Sequence, residues 1–514
     1  MVHQHCSGGS STGYVYDNQE FESDQVPNRP EGQRMNHADS LEETPSTSGY
    51  SSTSSSTRAP EDRSLLGRFR RKAWLLPIIH TQFWFAACFS LMAPYFPHLA
   101  ESKGIAAWKY GFVFSSFKMA MLLGSICGDK LMMCLTPSRV YLGGQAGFFS
   151  FMVMFGAIYW SPGGDVLLGL AIAVALFGGF MSAMYSVSMY SIVTERFTAN
   201  TGIIIACMEC LWGIGGMTGS ALGGVLIDLW KYPLPFFVIG GVMMLSLPVI
   251  ARRGPIPRKH RRVITGSSSA EHVRYYKAFC DPIFLADMVT VMLSWIIMAF
   301  NEPTLEPYLH QFHLTSTQTG AVFTVQFASY CIATVPAGIL CSYHLEECFM
   351  FFGQCLTATA YLILGPAPFL PGPPRLWMIY LSQVFTGVGM SAQFVCSFSH
   401  ALKRLIKKGY PDTIRTSGFV SSCMFTFLVF GAITTPPIAG YLVEKLGYRL
   451  GSMPLFAILT LWSVVTLTLW INSLCCSKSA APRTDESLAE SYPVINTSVE
   501  EAVVDYGSLQ RRTS

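Results

Sequence analysis

The sequence predicts an all-α polytopic membrane protein with twelve transmembrane helices in two six-helix bundles. Three observations predict this class: 51% of the 514 residues are hydrophobic and 13% are charged, long apolar runs recur along the chain, and its two halves repeat each other. A soluble globular domain usually has about a quarter of its residues charged. The composition therefore excludes an ordinary cytosolic enzyme.

Each predicted span is an apolar run near the roughly 20 residues that a transmembrane helix requires. The spans cover approximately residues 74–94, 111–132, 140–160, 166–190, 202–227, 235–251, 283–301, 319–341, 349–365, 376–399, 414–442 and 452–474. They divide the chain into an N-terminal tail (1–72), an N-terminal bundle (73–251), a basic central loop (252–282), a C-terminal bundle (283–474) and a C-terminal tail (475–514). Both tails are expected to be disordered, because such polar segments bury too little apolar surface to fold.

Lysine and arginine are distributed unevenly between the two predicted sides of the membrane. With a cytosolic N-terminus, the inner side collects the clusters Arg68–Lys72, Arg252–Arg262 and Lys403–Lys408. Cytoplasmic loops are enriched in these residues, so both termini are expected to be cytosolic. The central cluster is interpreted as a topology determinant that contacts anionic lipid rather than nucleic acid.

Three segments of the first half recur in the same order, at a near-constant distance, in the second half. The pairs are Ala93–Phe96 with Glu306–Leu309, Gly111–Phe114 with Gly320–Phe323, and Gly224–Asp228 with Gly440–Glu444. Two bundles in the same orientation are typical of a secondary transporter whose site lies between the repeats near the middle of the membrane.

Few ionisable side chains occur within the spans, and each costs about 2.5 kcal/mol or more in hydrocarbon. They are Lys118, Glu209 and Asp287, with Glu302 and Glu306 at the far end of the seventh span. Because intramembrane charges commonly mark substrate and proton pathways, these five residues are the candidate substrate-binding and proton-coupling groups.

Two of these residues allow a structural interpretation as well. Lys118 is either a coupling cation that pairs with a carboxylate in one state only, or half of a permanent ion pair. Glu209 is either a proton site or a buried acceptor that fixes packing, because it shares a face with the small residues Gly213, Gly216 and Ser220.

Polar residues recur at helical spacing in the fourth, seventh and tenth spans and predict a central aqueous path. Its candidate lining residues are Ser182, Tyr185, Asn301, Gln383 and Gln393. A single stripe of this kind also occurs where helices hydrogen-bond to each other. No metal-ligating spacing, nucleotide-binding glycine loop or nucleophile-and-base pattern is visible, so neither a cofactor, a metal site nor an enzyme is expected.

The fifth span resembles the antiporter motif of the major facilitator superfamily. It reads Gly213-x-Gly215-x-x-x-Gly219-Ser220-x-x-Gly223-Gly224, with Ser220 where proline is usual. The superfamily's loop motif after the second span is degenerate here and is reduced to Asp129-Lys130. The resemblance implies the major facilitator fold of two six-helix bundles.

Residues Asn301–Leu305 resemble the Leu-Glu/Asp-Pro-x-Leu signature of the vesicular amine transporter family, and most of all its polyamine branch. That branch also matches Pro94–Pro97, Leu364–Pro368 and Gly440–Tyr448, and it has a glutamate at Glu209. The resemblance implies proton-coupled antiport of an organic amine or polyamine into vesicles. Monoamine members carry aspartates in spans 1, 10 and 11 that are absent here, which disfavours a monoamine.

Two short motifs in the tails resemble sorting signals. One is the acidic dileucine pattern of Glu61, Leu65 and Leu66, and the other is the tyrosine pattern of Tyr506 and Leu509. On cytosolic tails they would bind clathrin adaptors, which favours a vesicular or lysosomal membrane. The alternatives left open are a lysosomal uniporter or symporter for another small organic solute, and a receptor or scaffold that transports nothing.

Overall fold

The computed structural model describes residues 75–196, 201–252, 275–365, 367–368, 372–411 and 414–479. Within these ranges the chain is helical, and they contain no β-strand. The N-terminal tail, most of the central loop and the C-terminal tail beyond residue 479 lie outside the described residues. The predicted sorting residues Glu61, Leu65, Leu66, Tyr506 and Leu509 are among them.

The helices follow the predicted spans, although those of the first and seventh spans continue past the predicted ends at residues 94 and 301, to Ser102 and Phe312. They are α1 (Leu75–Phe89), α2 (Met92–Ser102), α3 (Ala107–Cys134), α4 (Pro137–Ala157), α5 (Asp165–Arg196), α6 (Thr201–Leu229), α7 (Pro233–Met244), α8 (Leu247–Arg252), α9 (Pro282–Leu309), α10 (Ser316–Ser342), α11 (Glu346–Leu364), α12 (Leu376–Lys407), α13 (Ile414–Gly451) and α14 (Met453–Ser479). Helices α1 and α2 share the first span, and α7 and α8 share the sixth.

Eleven of the described segments are long and apolar enough to cross a membrane. The remaining predicted span is α12, whose 32 residues would extend about 48 Å. Its polar stripe, which includes Gln383, Gln393 and His400, lowers its mean hydropathy without shortening it. The predicted all-helical membrane fold is confirmed.

Proline explains why the first and sixth spans are each broken into two helices. Pro94 lies in the first turn of α2, and Pro248 lies in the first turn of α8. Proline has no backbone N–H and its ring clashes with the preceding turn, which favours a break before it, although Pro303 and Pro307 lie inside the continuous α9. The chain therefore restarts its helix at these positions.

Helix packing repeats between the two halves. In the first half α3 and α4 pack on α5, α1 packs on α6, and α4 packs on α7; in the second half α10 and α11 pack on α12, α9 packs on α13, and α11 packs on α14. Each half also has its own buried apolar cluster, one spanning Ile78–Ile250 and the other Leu293–Leu459. The predicted duplication is present in the packing.

The halves meet along two principal helix pairs, α3 with α13 and α6 with α10, and α2 also contacts α9. Glycine permits the close approach: a Cβ on Gly111 or Gly440 would overlap the backbone of the facing helix, and so would one on Gly224 or Gly320. These four glycines belong to the segments that repeat in the sequence.

The helices end at two opposite sides of the molecule, which we call the far end and the tail end. The far end holds Asp228, whose carboxylate accepts hydrogen bonds from the backbone N–H groups of Ser316 and Thr317 at the start of α10. The tail end holds Asp281 at the start of α9 and Lys408 just after α12.

Candidate solute site between the two halves

A central cavity lies between the halves. Helices α1, α2 and α3 line it on one side, and α9 and α10 line it on the other. Most of its lining residues are apolar, and five of them are aromatic: Phe89, Phe114, Phe117, Phe323 and Phe327. The polar lining residues are Ser90, Lys118, Asn301, Glu302 and Gln326. An apolar pocket with a few polar groups is typical of a small-molecule site.

Lys118 and Glu302 form an ion pair inside this cavity. The Lys118 Nζ lies 2.6 Å from the Glu302 Oε1, and the two residues are only 2% and 4% exposed. Lys118 belongs to α3 in the first half and Glu302 to α9 in the second, so the pair joins the halves. Both interpretations of Lys118 require a carboxylate partner, and Glu302 is that partner in this conformation.

Aromatic rings complete the surroundings of the Lys118 ammonium. Its Nζ lies 5.2 Å from the ring centroid of Phe89 and 5.9 Å from that of Trp295. A cation within about 6 Å of a ring centroid is attracted by the electron-rich face of the ring. One carboxylate and two aromatic rings therefore form an environment suited to an organic ammonium group.

Two polar atoms at the cavity have unused hydrogen-bonding capacity. Among the described residues, no group hydrogen-bonds to Glu302 Oε2 or to Asn301 Nδ2. The other amide atom of Asn301, Oδ1, accepts a hydrogen bond of 2.9 Å from the Tyr361 hydroxyl, which fixes the side chain. Buried polar groups normally have partners, so an acceptor and a donor are available here to a proton, water or solute.

Asp287 lies on α9 as well, but away from the cavity and toward the tail end. His400 Nδ1 approaches both of its carboxylate oxygens, at 3.0 and 2.9 Å, and His400 Nε2 lies 3.1 Å from Glu347. With a carboxylate at each ring nitrogen, His400 is placed to donate from both. All three residues belong to the second half.

Glu209 lies on α6 beside the contact with α10. It accepts a hydrogen bond of 2.8 Å from the Tyr190 hydroxyl of α5, and its neighbour Cys210 places its Sγ 3.7 Å from Cys331 Sγ. Glu209 does not line the central cavity. Its contacts are compatible with both predicted roles, a proton site and a packing acceptor.

Glu306 lies one helical turn beyond Glu302 and belongs to a different cluster at the far end. Its Oε1 is 2.7 Å from His310 Nε2 and 3.6 Å from His98 Nδ1. Sequence spacing indicated no metal-ligating set because His98 lies 212 residues before His310. The close pair Glu306 and His310, four residues apart, was the only local signal.

Of the five predicted lining residues, Asn301 lines the cavity. Ser182 donates to the Gly179 carbonyl within its own helix, and Tyr185 donates to Gln82 Oε1 at 3.2 Å inside the first half. Their stripe on α5 faces the interior of that bundle rather than the other half.

The two predicted residues of α12 also lie inside a bundle. Gln393 Nε2 donates to Thr357 Oγ1 at 2.9 Å. Gln383 is fully buried, and neither of its amide atoms has a hydrogen-bond partner among the described residues. Gln393 therefore joins two helices of the second half, whereas the side chain of Gln383 forms no hydrogen bond to another described helix. The lining residues that the sequence did not single out, such as Phe89 and Gln326, are of types common throughout these spans and gave no distinguishing signal.

Comparison with known proteins places the chain in a family. The profile of the Major Facilitator Superfamily matches residues 78–301 and 283–491. The MFS-type transporter SLC18B1 of Rattus norvegicus is 27% identical over 384 residues, which is 74% of this chain and 81% of that protein. Its Homo sapiens counterpart is 27% identical over 383 residues, with the same coverage.

Solved structures show the same fold at low sequence identity. The nucleoside transporter NupG aligns with a TM-score of 0.61 and 11% identity, covering 77% of this chain and 99% of NupG. A bacterial homologue of the human lysosomal transporter Spinster aligns with a TM-score of 0.60 and 12% identity, covering 77% of this chain and 95% of that one. The chain belongs to the Major Facilitator Superfamily and is a multi-pass membrane transporter, not an enzyme.

Proposed function

We propose that this transporter is a proton-coupled antiporter for a small organic cation, an amine or polyamine, and that Glu302 binds the solute and the proton in turn. The observation that carries the proposal is the Lys118–Glu302 ion pair, which is buried in the central cavity and joins the two halves. Alternating access between the repeats is the general mechanism of this architecture.

Lys118 presents a primary alkylammonium group, which is the chemical group of an organic amine. A solute ammonium that displaced Lys118 from Glu302 would contact the same carboxylate and the same rings, those of Phe89 and Trp295. Asn301 Nδ2, at the cavity, is available to another polar atom of the solute. The site therefore favours a cation over a neutral or anionic solute of the same size.

Proton coupling follows from the single carboxylate. Protonated Glu302 is neutral, so it no longer attracts either Lys118 or a solute ammonium. Because proton and solute compete for one group, solute binds on a given side only after the proton has left Glu302. Competition of this kind gives exchange of proton for solute.

The position of the pair links this competition to the movement of the halves. Removing one partner of a buried ion pair costs about 3–5 kcal/mol, because the other charge is left uncompensated. Separation of α3 from α9 at the cavity has such a cost while Lys118 and Glu302 are paired. A proton or solute on Glu302 frees the flexible Lys118 side chain to reach water in the opened cavity, which lowers that cost.

We further propose that the tail end faces the cytosol and that the protein resides in a vesicular or lysosomal membrane. The tail end carries the basic residues Lys403, Arg404, Lys407 and Lys408, as expected on a cytosolic side. On this assignment the far end faces an acidic lumen that supplies the protons. The terminal segments 1–72 and 475–514 would then be cytosolic tails, and their sorting motifs would bind clathrin adaptors. Between the tails lie the two bundles, 73–251 and 283–474, and the loop 252–282 that connects them.

Uptake into proteoliposomes of the purified full chain tests the proposal. We expect accumulation of a radiolabelled polyamine when the vesicle interior is acidic, its collapse when a protonophore is added, and no accumulation of an uncharged solute of similar size. Uptake that is indifferent to the imposed pH gradient would rule out proton coupling, and equal uptake of the uncharged solute would rule out the cation site.

A further inference from the structure

We infer that the far end holds a binding site for a divalent transition-metal ion, with Zn²⁺ favoured by its ligand chemistry, formed by His98, Glu306 and His310. His98 comes from α2 in the first half. Glu306 comes from α9, and His310 from the 3₁₀ turn that follows it, in the second half. Metal binding at these residues involves none of the steps proposed for solute transport.

The three candidate ligand atoms already form a compact triangle. His98 Nδ1 and His310 Nε2 are 3.2 Å apart, His310 Nε2 and Glu306 Oε1 are 2.7 Å apart, and His98 Nδ1 and Glu306 Oε1 are 3.6 Å apart. Tetrahedral Zn²⁺ with bonds of about 2.0–2.2 Å to nitrogen and oxygen holds its ligands roughly 3.3–3.6 Å from one another. Small side-chain adjustments, the largest between His310 and Glu306, bring the triangle to that size.

Two imidazoles and one carboxylate are a ligand set typical of zinc. An ion at the centre of the triangle would bind the lone pairs of both ring nitrogens, so neither nitrogen could carry a proton there. Without an ion, two ring nitrogens 3.2 Å apart must share a proton or accept an unfavourable contact. A bound metal ion would take the place of the shared proton and would contact both nitrogens favourably.

The surroundings supply two features that a His–Glu ion pair does not require. His310 Nδ1, its other ring nitrogen, lies 3.7 Å from Glu101 Oε2. A movement of less than about 1 Å would let this carboxylate accept a hydrogen bond from the ring, which is how carboxylates orient metal-binding imidazoles. Glu306 is 4% exposed, and its Oε2 has no hydrogen-bond partner within the described part of the chain. That buried oxygen is available as a second carboxylate ligand.

An ion can reach the site from solvent. The side chains of His98 and His310 are 70% and 43% exposed, whereas that of Glu306 is 6% exposed. Three protein ligands leave a fourth position for water. The site thus has two solvent-accessible histidines and one buried carboxylate.

Because the ligands come from both halves, the ion would connect them where α2 meets α9. It would bind only while the far ends are in contact, and it would therefore shift the population toward that conformation. A metal ion at this position is a regulator that holds the far end closed.

Equilibrium binding of radioactive Zn²⁺ to the purified full chain in detergent tests the inference. We expect the His98→Ala and His310→Ala variants each to lose one high-affinity ion per chain, with binding weakened at least tenfold at that site. His313→Ala is the matched control, since His313 is an exposed histidine three residues beyond His310, and it should stay within twofold of the wild type. Wild-type stoichiometry and affinity in His98→Ala would overturn the inference.

A second measurement guards against loss of folding in the variants. Zn²⁺ should raise the melting temperature of the wild type and of His313→Ala, but not that of His98→Ala or His310→Ala, while the metal-free proteins elute alike on size exclusion. An equal rise in His98→Ala would overturn the inference. Neither readout measures solute flux, so the outcome is independent of the proposed antiport.

Discussion

Glu302 and Asp287 are both buried carboxylates on α9, yet their partners belong to different halves of the molecule. Glu302 pairs with Lys118 of α3 in the first half, and one of its oxygens has no hydrogen-bond partner among the described residues. Asp287 directs both oxygens at His400 of α12, within its own half. The two sites have similar burial, 4% and 1% exposed, so burial does not separate their roles.

The difference lies in what happens when the halves move. His400 travels with Asp287, so their contact survives any rigid movement of the second half and adds only to its stability. Lys118 moves with the first half, so its contact with Glu302 must change between conformations. Of the two acids, Glu302 is therefore the one whose partner can be exchanged for a solute or proton.

The largest effect is expected from Glu302→Gln. It removes the proposed binding group and leaves the Lys118 ammonium buried without a carboxylate, a loss of about 3–5 kcal/mol. Gradient-driven uptake in proteoliposomes, normalised to folded protein, should fall by about 100-fold. Asp165→Asn is the control, because Asp165 is an exposed acid paired with Lys109 at the far end.

A double variant distinguishes binding from stability at the same site. Lys118→Met with Glu302→Gln removes both charges, so it should recover most of the melting temperature lost in Glu302→Gln while uptake stays absent. Recovery of uptake in the double variant would show that the pair is only structural and would remove the contrast with Asp287.

A smaller and opposite effect on binding is expected from Lys118→Gln. Without its internal ammonium, Glu302 no longer has a competitor for solute, so equilibrium binding of a polyamine should tighten by about tenfold. Net uptake should fall, because Lys118 no longer pairs with Glu302 while the solute-free transporter changes back to its starting conformation. Exchange of labelled for unlabelled solute does not require that solute-free step, so it should persist. Lys109→Gln on the same helix is the control. Unchanged polyamine affinity in Lys118→Gln would show that Lys118 and the solute do not compete for Glu302.

Asp287→Asn should affect stability rather than transport. It weakens a contact within the second half, so we expect the melting temperature to fall by several degrees. Uptake per folded molecule should stay within about twofold of the wild type, and polyamine affinity should not change. A loss of uptake comparable to that of Glu302→Gln would place Asp287 in the transport pathway and break the comparison.

The sequence predicts the fold because its signals are local or repetitive. Apolar length identifies the spans, and the recurrence of Gly111 as Gly320 and of Gly224 as Gly440 indicates the duplication. That these glycines lie at the close contacts between the halves is seen only in the structure. The cost of a buried charge likewise singles out Lys118 and Glu302 as residues that need partners.

Which partner each residue takes could not be predicted, because that depends on how distant helices meet. Lys118 and Glu302 are 184 residues apart, and no spacing rule connects them. Helical periodicity assigns Gln393 to a polar face but does not say which helix that face contacts, and here it contacts Thr357 of the same half. Trp295 gave no signal because aromatic residues are frequent in every span.

The smallest effect is expected at Asp281, the acid just before α9, because its ion-pair partners are partly exposed to solvent. Burial alone would raise the pKa of Asp281, but hydrogen bonds from Lys408 and Arg404 outweigh it and hold that pKa below its ordinary value. A carboxyl with a lowered pKa in the folded state stabilises the protein above its unfolded pKa, near 3.9, and this stabilisation disappears as the pH falls through the folded value. Asp281→Asn should therefore cost about 1 kcal/mol or less at pH 7, because the Arg404 and Lys408 side chains are 28% and 43% exposed to screening solvent. The difference in melting temperature between wild type and variant should shrink when the pH is lowered from 7 to 3, and a difference that is independent of pH would show that these ion pairs do not stabilise the tail end.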